Sequence, residues 1–404
     1  MSNSVNSLDR LLSAEYSTLK SRGLGSVLVL ALGTFAVGTD AFIVAAFLPA
    51  MADGLRVSTA MAGQSLTVFA ATYALLAPVI ATLTAQMPRR ALLVAALTVL
   101  AAANFVSALA PNFSVLIASR ILAAIGAASF TPTAGAASAA LVRPELRGRA
   151  LAVVIGGLTS ATALGIPLGN LASHWLGWRA ALAFVAAVSL LAGVCILLSM
   201  PKLAGNPRVP LRRRLAAMRH PGVRAVLPLT VLGMVACYTP YAYSVPMLHA
   251  VGVPATTIAV MFFMYGLGAV IGSLFSGYAT DRWGPAPALT VTYIIMTGTL
   301  VGFGWLAASN SPQIQIFVGL LMLLWGASSW AQTPAQQHRL IAAAPQEAPL
   351  AISLNSSAIY LGIGLGTSLG GVAIPAGASL LYDLGGGVAF LALIFLRRTL
   401  SATP

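Results

Sequence analysis

A single carboxylate, Asp40, sits inside GTFAVGTDAFIVAAFLPAM (residues 33–51), a stretch otherwise fit only for lipid. Holding a charge there costs about 3 kcal/mol even on lenient insertion scales, so an ionisable side chain at that depth implies a task. A guanidinium, Arg120, is embedded in a second apolar run, LIASRILAA (116–124). Asp40 stands nine residues and Arg120 eight from the outer ends of their predicted helices, about 12–14 Å deep at the helical rise. At equal depth the two are able to pair, which satisfies both charges where either alone would be heavily penalised. One reading of such a pair is a fastener between two helices. The other is a proton site: desolvation favours the neutral acid and a nearby guanidinium the charged one, so the acid holds or releases a proton according to conformation. That second property is what a proton-coupled transporter needs. A third charge, Asp383, lies five residues into its own apolar run and just before Leu384 and Gly385 to Gly387; it reads as a cap at the outer end, next to a flexible stretch.

Other chemistries find little to work with. The four histidines, His174, His220, His249 and His338, lie at predicted helix ends or loops and are not gathered with carboxylates or cysteines, so neither a catalytic set nor a metal site is expected. Cys195 and Cys237 both fall in apolar stretches and read as small packing residues. No GxxxxGK[ST] sequence is present, which argues against transport driven by ATP. No cofactor is expected beyond a proton gradient as energy source.

The elements that must position Asp40 and Arg120 follow from hydropathy. Of the 404 residues, 58% are hydrophobic and 7% charged, with a mean hydropathy of +0.90. A soluble globule carries about a quarter charged residues, so this is an all-α integral membrane protein. The apolar runs are too long for the alternating strands of a barrel. A segment from Gly25 to Met51 with no charge other than Asp40 makes the first helix, and the uncharged run from Val57 to Pro88 the second. Ala91 to Val142 is too long for one crossing and divides at Ala110 to Asn112. A basic loop, Arg143 to Arg149, precedes helices five and six, at about 150–173 and 180–200, parted at His174 to Arg179. The second half holds three more pairs, within 225–280, 283–338 and 348–396, split near Gly252 to Pro254, Asn310 to Pro312 and Ile374 to Gly377. Twelve transmembrane helices result.

Residues 201–224 form the one substantial polar interruption, with seven Lys or Arg residues and no acid. The expected organisation is a polar segment at 1–24 lying on the membrane surface, six helices at 25–200, a linker at 201–224, six helices at 225–396 and a tail at 397–404. The net charge of +14 is spread in short clusters between apolar runs, which argues for the positive-inside rule and against nucleic acid as partner. With both termini cytoplasmic, the inner side receives 19 of the 22 Lys and Arg residues, Arg56 and Arg179 lie outside, and Arg120 lies within. An internal repeat supports two pseudo-symmetric six-helix halves: Gly277-Tyr-Ala-Thr-Asp281-Arg282-Trp-Gly284 and the segment from Ala81 through Ala85 and Gln86 to Pro88 are offset by 196 residues, and Pro49 and Pro246 by 197. In that register Asp40 falls opposite Cys237.

Gly156, Gly157, Gly165, Pro167 and Gly169 cluster in the fifth helix, a spacing that permits close helix contact and a bend; plain packing and a conformational role account for it equally. Asp281 and Arg282, between Gly277 and Gly284, are placed to cap or latch a neighbouring helix. Polar and aromatic candidates for a substrate cavity are Tyr73, Asn104, Tyr238, Tyr241, Tyr265, Trp325 and Asn355, with Tyr243, Trp330, Gln332 and Tyr360 as further members of the pool. Sparse polar groups in apolar walls are the usual lining of a small-molecule site, although Tyr and Trp also gather at bilayer interfaces.

Taken together, GTDAFIVAAFLP, LIASRILAA, GIPLG and GYATDRWG on a twelve-helix frame resemble the major facilitator superfamily, and within it the bacterial drug and sugar efflux group of proton antiporters. The likeness covers residues 25–396. It implies the two-bundle fold of that superfamily, alternating access, efflux of a drug, sugar or metabolite, an inner-membrane location and a monomer as functional unit. It also implies proton coupling at Asp40, proton relay at Arg120 and an antiporter motif at Gly165, Pro167 and Gly169. Ala81, Ala85, Gln86 and Pro88 depart from the Gly, Asp, Arg and Gly usual in the first-half loop, and Ala123 and Ala124 replace the usual Gln-Gly. An importer of the same fold, facilitative or proton-symporting, is the alternative, and a membrane-embedded enzyme a more distant one.

Overall fold

Proline 49 sets where the first crossing ends. It has no N–H to give to the carbonyl one turn back, and its ring crowds that carbonyl, so a helix does not run smoothly through it. In the computed structural model, which describes residues 25–205, 207–309 and 315–401, the first helix (α1, Gly25–Ala46) tightens into a 3-10 turn over Val44–Ala46 and breaks at Phe47. A short helix, Leu48–Leu55, then starts with the proline in its first turn, where a missing N–H costs nothing. The expected single helix from Gly25 to Met51 is thereby corrected. The second half does the same: α7 (Pro221–Tyr241) stops and Ser244–Ala250, carrying Pro246, follows.

The other first-half spans are α2 (Thr59–Leu83), α3 (Arg89–Leu109), α4 (Phe113–Ala140), α5 (Pro144–Leu176) and α6 (Trp178–Ser199). After α7 come α8 (Ala255–Trp283), α9 (Pro285–Ser309), α10 (Gln315–Ala343), α11 (Leu350–Ala376) and α12 (Ala378–Thr399). Twelve helices are long and apolar enough to cross a bilayer, and no strand occurs among the described residues. Side chains begin two of them: Ser58 accepts from the Met61 N–H and Asn112 from the Val115 N–H. The expected surface segment at 1–24 and the turn at 310–312 lie outside the described residues. Two loops are shorter than their composition suggests. Arg147 and Arg149 already belong to the helix of α5, and the break before α6 shrinks to Gly177, whose φ of 85° suits a residue without a side chain. The stretch Gly385 to Gly387, expected to be flexible, is helical inside α12.

Within the halves the packing repeats. α3 lies against α4 and α6, and α9 against α10 and α12. The halves meet along two seams, α2 on α11 and α5 on α8. At the second seam α5 widens into a π turn over Ala161–Gly165, and Gly266 of α8 presses directly on the backbone of Thr162 and Ala163. Any side chain at 266 would overlap that backbone.

Two glycines of α8 therefore separate cleanly. Gly266→Val is expected to lower stability by about 1–3 kcal/mol through overpacking, whereas Gly277→Ala, where a Cβ meets open space, stays within about 0.5 kcal/mol. Thermal unfolding of the purified chain in detergent distinguishes them.

Candidate functional site

α5 holds the turn of α1 that carries Asp40. Gly157 lies on Ala31 and Thr34, Gly165 on Thr39 and Gly169 on Ile43, each so tightly that a Cβ would overlap the α1 atom it faces. Thr34 Oγ1 donates to the Val154 carbonyl at 2.6 Å and Asn170 Nδ2 to the Ala46 carbonyl at 2.7 Å, which fixes α1 along its length. The helix-five glycines are thus a bed for α1, with Pro167 buried beside them.

On that bed Asp40 is fully buried and Arg120 is 1% exposed. Arg120 Nη1 donates to Asp40 Oδ1 at 2.6 Å and Nη2 to the Asp40 backbone carbonyl at 3.2 Å, so one guanidinium grips both parts of one residue. Its flat face lies over the Phe69 ring, 4.6 Å from the centroid, a cation–π contact that partly replaces water around the charge. Asp40 Oδ2, Arg120 Nε and Thr39 Oγ1 are buried with no hydrogen-bond partner among the described residues. Most buried polar atoms are paired, so a carboxylate oxygen left open beside an ion pair is the kind of atom on which a proton is received.

The pair connects to the seam between halves. Phe69 is one helical turn from Tyr73 on α2, and both face Tyr360 of α11: Tyr73 and Tyr360 stack with centroids 3.6 Å apart and planes 21° from parallel, and Phe69 lies 6.2 Å from Tyr360. A single ring, Phe69, therefore stands between Arg120 and the second half.

The second half has no acid at the matching place. Cys237 is buried there, its sulfur 3.4 Å from Tyr265 Oη and 2.9 Å from Ser329 Oγ, which gives this cysteine polar company that its apolar sequence context does not suggest. Tyr238, Tyr241, Tyr265 and Trp325 form one aromatic chain with centroid spacings of 5.0–5.3 Å, extended by Phe303 and Tyr382. Phe42 of α1 meets Tyr238 and Trp330 across the halves. Tyr241 Oη and Tyr382 Oη are buried without hydrogen-bond partners among the described residues. The remaining candidates stand apart. Asn104 donates to the Leu100 carbonyl of its own helix, on α3, which lies against α4 and α6. Asn355 accepts from Thr230 Oγ1 at 2.9 Å and ties α11 to α7. Gln332 accepts from Tyr293 Oη, and Tyr243 donates to the Thr367 carbonyl.

Asp281 and Arg282 are exposed at the end of α8, and Gly284 takes a φ of 88° to end the helix. Gly277 faces open space. Asp383 is exposed, accepts from Ser379 Oγ at 3.2 Å and lies over Gly304 of α9. Among the described residues no group of His, Cys, Asp and Glu is placed to hold a metal. Phe69, Phe42, Phe303 and Tyr382 escaped the sequence reading. Phe69 carries a signal, its i, i+4 spacing from Tyr73; the other three carry none.

Known proteins agree with this architecture. The profile of the Major Facilitator Superfamily matches residues 30–367. The "Uncharacterized MFS-type transporter YbcL" of Bacillus subtilis is 30% identical over 347 residues, covering 86% of this chain and 88% of that one. "Inner membrane transport protein YdhP" of Escherichia coli K12 is 30% identical, covering 94% and 96%. The "Chloramphenicol resistance protein" of Streptomyces lividans is 32% identical, covering 84% and 86%. Two solved structures share the fold: the human organic anion transporter MFSD10 (TETRAN), with a TM-score of 0.69 and 17% identity over 93% of this chain and 99% of that one, and a bacterial homologue of the human lysosomal transporter Spinster, inward-facing and unoccupied, with 0.65 and 18% over 95% of each. With a buried ion pair on one of two repeated six-helix halves, and relatives that match nearly its whole length, the chain belongs to the major facilitator superfamily of membrane transporters.

Proposed function

We propose that the protein is a proton-coupled efflux antiporter for a small neutral or cationic amphipathic molecule, working by alternating access with both termini in the cytoplasm of a bacterial cell. The observation that carries the reading is the open Asp40 Oδ2 beside the Arg120 ion pair. A proton arriving from outside binds Oδ2 and neutralises the carboxyl. Arg120 then keeps only the Asp40 carbonyl and the Phe69 face, and breaking a buried pair in this way costs about 3–5 kcal/mol. Rearrangement of the helices relieves that cost, and Phe69, Tyr73 and Tyr360 pass the change to the other half. Release of the proton inside restores the pair and resets the carrier. The halves rock about the two seams as rigid units.

The aromatic chain Tyr238, Tyr241, Tyr265 and Trp325 suits a flat amphipathic substrate, and its unpartnered Tyr241 Oη offers a hydrogen bond to one. The absence of a basic side chain from that chain of rings agrees with a neutral or cationic substrate. The name of the Streptomyces lividans relative adds support for efflux, and YdhP, by its name, for the inner membrane.

Labelled chloramphenicol is the first probe, followed by the compounds to which overproducing cells become resistant. Uptake into inside-out vesicles is expected to follow an imposed pH gradient in the wild type and to fall at least tenfold in Asp40→Asn, with substrate exchange in the absence of a gradient retained. Gradient-driven uptake that persists unchanged in Asp40→Asn removes Asp40 from the coupling. Tyr360→Leu loses the ring stack, worth about 1 kcal/mol, and is expected to slow gradient-driven uptake several-fold, while Tyr360→Phe keeps the stack and the rate.

A further inference from the structure

The chain between the halves is fastened to both. On the short helix Leu211–Ala216 and the turn after it, Leu211, Arg214 and Ala217 recur every third residue and face inward. Arg214 Nη2 donates to the Ala81 carbonyl near the end of α2 at 3.2 Å, and Ala217 is buried among Val223, Val226 and Leu340 of the second half. Upstream, the Leu203 carbonyl accepts from the Arg89 N–H at 2.9 Å and the Met200 carbonyl from Arg90 Nη1 at 3.2 Å. Gly205 lies directly on the Ala85–Gln86 backbone.

The opposite face of the linker is turned away from the protein. Arg212, Arg213 and Arg219 are exposed, and between them stand Leu215 and Met218, 44% and 45% exposed. Cations interleaved with bare apolar side chains at the rim of a membrane match the chemistry of a lipid headgroup region. Beside this face a groove of about 410 Å³ runs between the linker and α2. Val79, Thr82, Leu83 and Leu211 line it along its length and Arg208 and Pro210 complete it, with no acid among them. Val79 and Leu83 continue a row from Leu75; Leu75 and Leu83 are 71% and 66% exposed, so the groove leads onto the lipid-facing side of α2.

We propose that this groove binds one anionic phospholipid, with its phosphate at Arg208, Arg212 and Arg213 nearby in the chain, and an acyl chain along Leu75, Val79 and Leu83. The charge selects an anionic headgroup over a zwitterionic one. The apolar row selects a lipid over a free anion. Bound there, the lipid holds the linker against α2.

Native mass spectrometry of the full chain in detergent, with equal amounts of phosphatidylglycerol and phosphatidylcholine added, tests the site without reading transport. The wild type is expected to retain one phosphatidylglycerol in preference to phosphatidylcholine. Arg208→Gln should cut that preference about fivefold, and Arg208→Gln with Arg212→Gln should abolish it. Lys202→Gln, which removes an exposed cation outside the groove, should leave it intact. Leu83→Ser, on the apolar row, should weaken retention with helical content unchanged. Retention in Arg208→Gln equal to the wild type, an equal loss in Lys202→Gln, or displacement of the lipid by millimolar inorganic phosphate would each overturn the proposal.

Discussion

Everything in this molecule is arranged around a pair of opposite charges held where water cannot reach them. In an environment of low dielectric constant an unpaired carboxylate or guanidinium is close to intolerable, while the two together are stable only if their contact geometry is tight and the surrounding groups make up the lost hydration. Arg120 obtains that from three sources at once: a carboxylate oxygen, a backbone carbonyl and an aromatic face. The glycine bed of α5 is a condition for it, since α1 lies near enough to hold Asp40 in register only where α5 presents no side chains.

Much of the frame was legible in the sequence because the physics that writes it is one-dimensional. Bilayer thickness fixes the length of an apolar run, and turn residues such as Asn112, Gly177 and Pro254 divide the long ones. That Asp40 and Arg120 are able to pair was legible from opposite charge at equal depth, a quantity that counting residues supplies; the contact itself is seen only in the structure. The break at Phe47 was harder. Pro49 and Pro246 were visible as a repeated pair, yet their effect on the helix depends on where in a turn each proline falls, which apolarity does not report.

What the sequence could not reveal were the relations across the halves. The stack of Tyr73 on Tyr360 and the approach of Phe42 to Trp330 join residues hundreds of positions apart, and nothing in the local pattern marks one aromatic ring as a bridge and another as filler. The π turn in α5 is a partial case: Gly165, Pro167 and Gly169 mark a place where the helix can bend, but not that Ala161 to Gly165 widen, nor that the backbone of α8 lies against that turn. Asn104 and Asn355 show the converse. As polar residues in apolar helices they stand out in the sequence, which does not say that the amide nitrogen of one bonds within its own helix while the other joins two neighbouring helices.

The proline-broken ends of α1 and α7 make the two halves mechanical twins, the first span of each being followed by a separate short helix. The chemistry is lopsided: the first half carries the ion pair, and the matching position in the second carries a thiol among hydroxyls. Damage should therefore divide by half of origin. In the first bundle a substitution that keeps the shape and removes the charge strips a buried ion of its partner, whereas at the matching place in the second it removes only a thiol's contacts with two hydroxyls, so one scaffold used twice is not equally tolerant in its two copies.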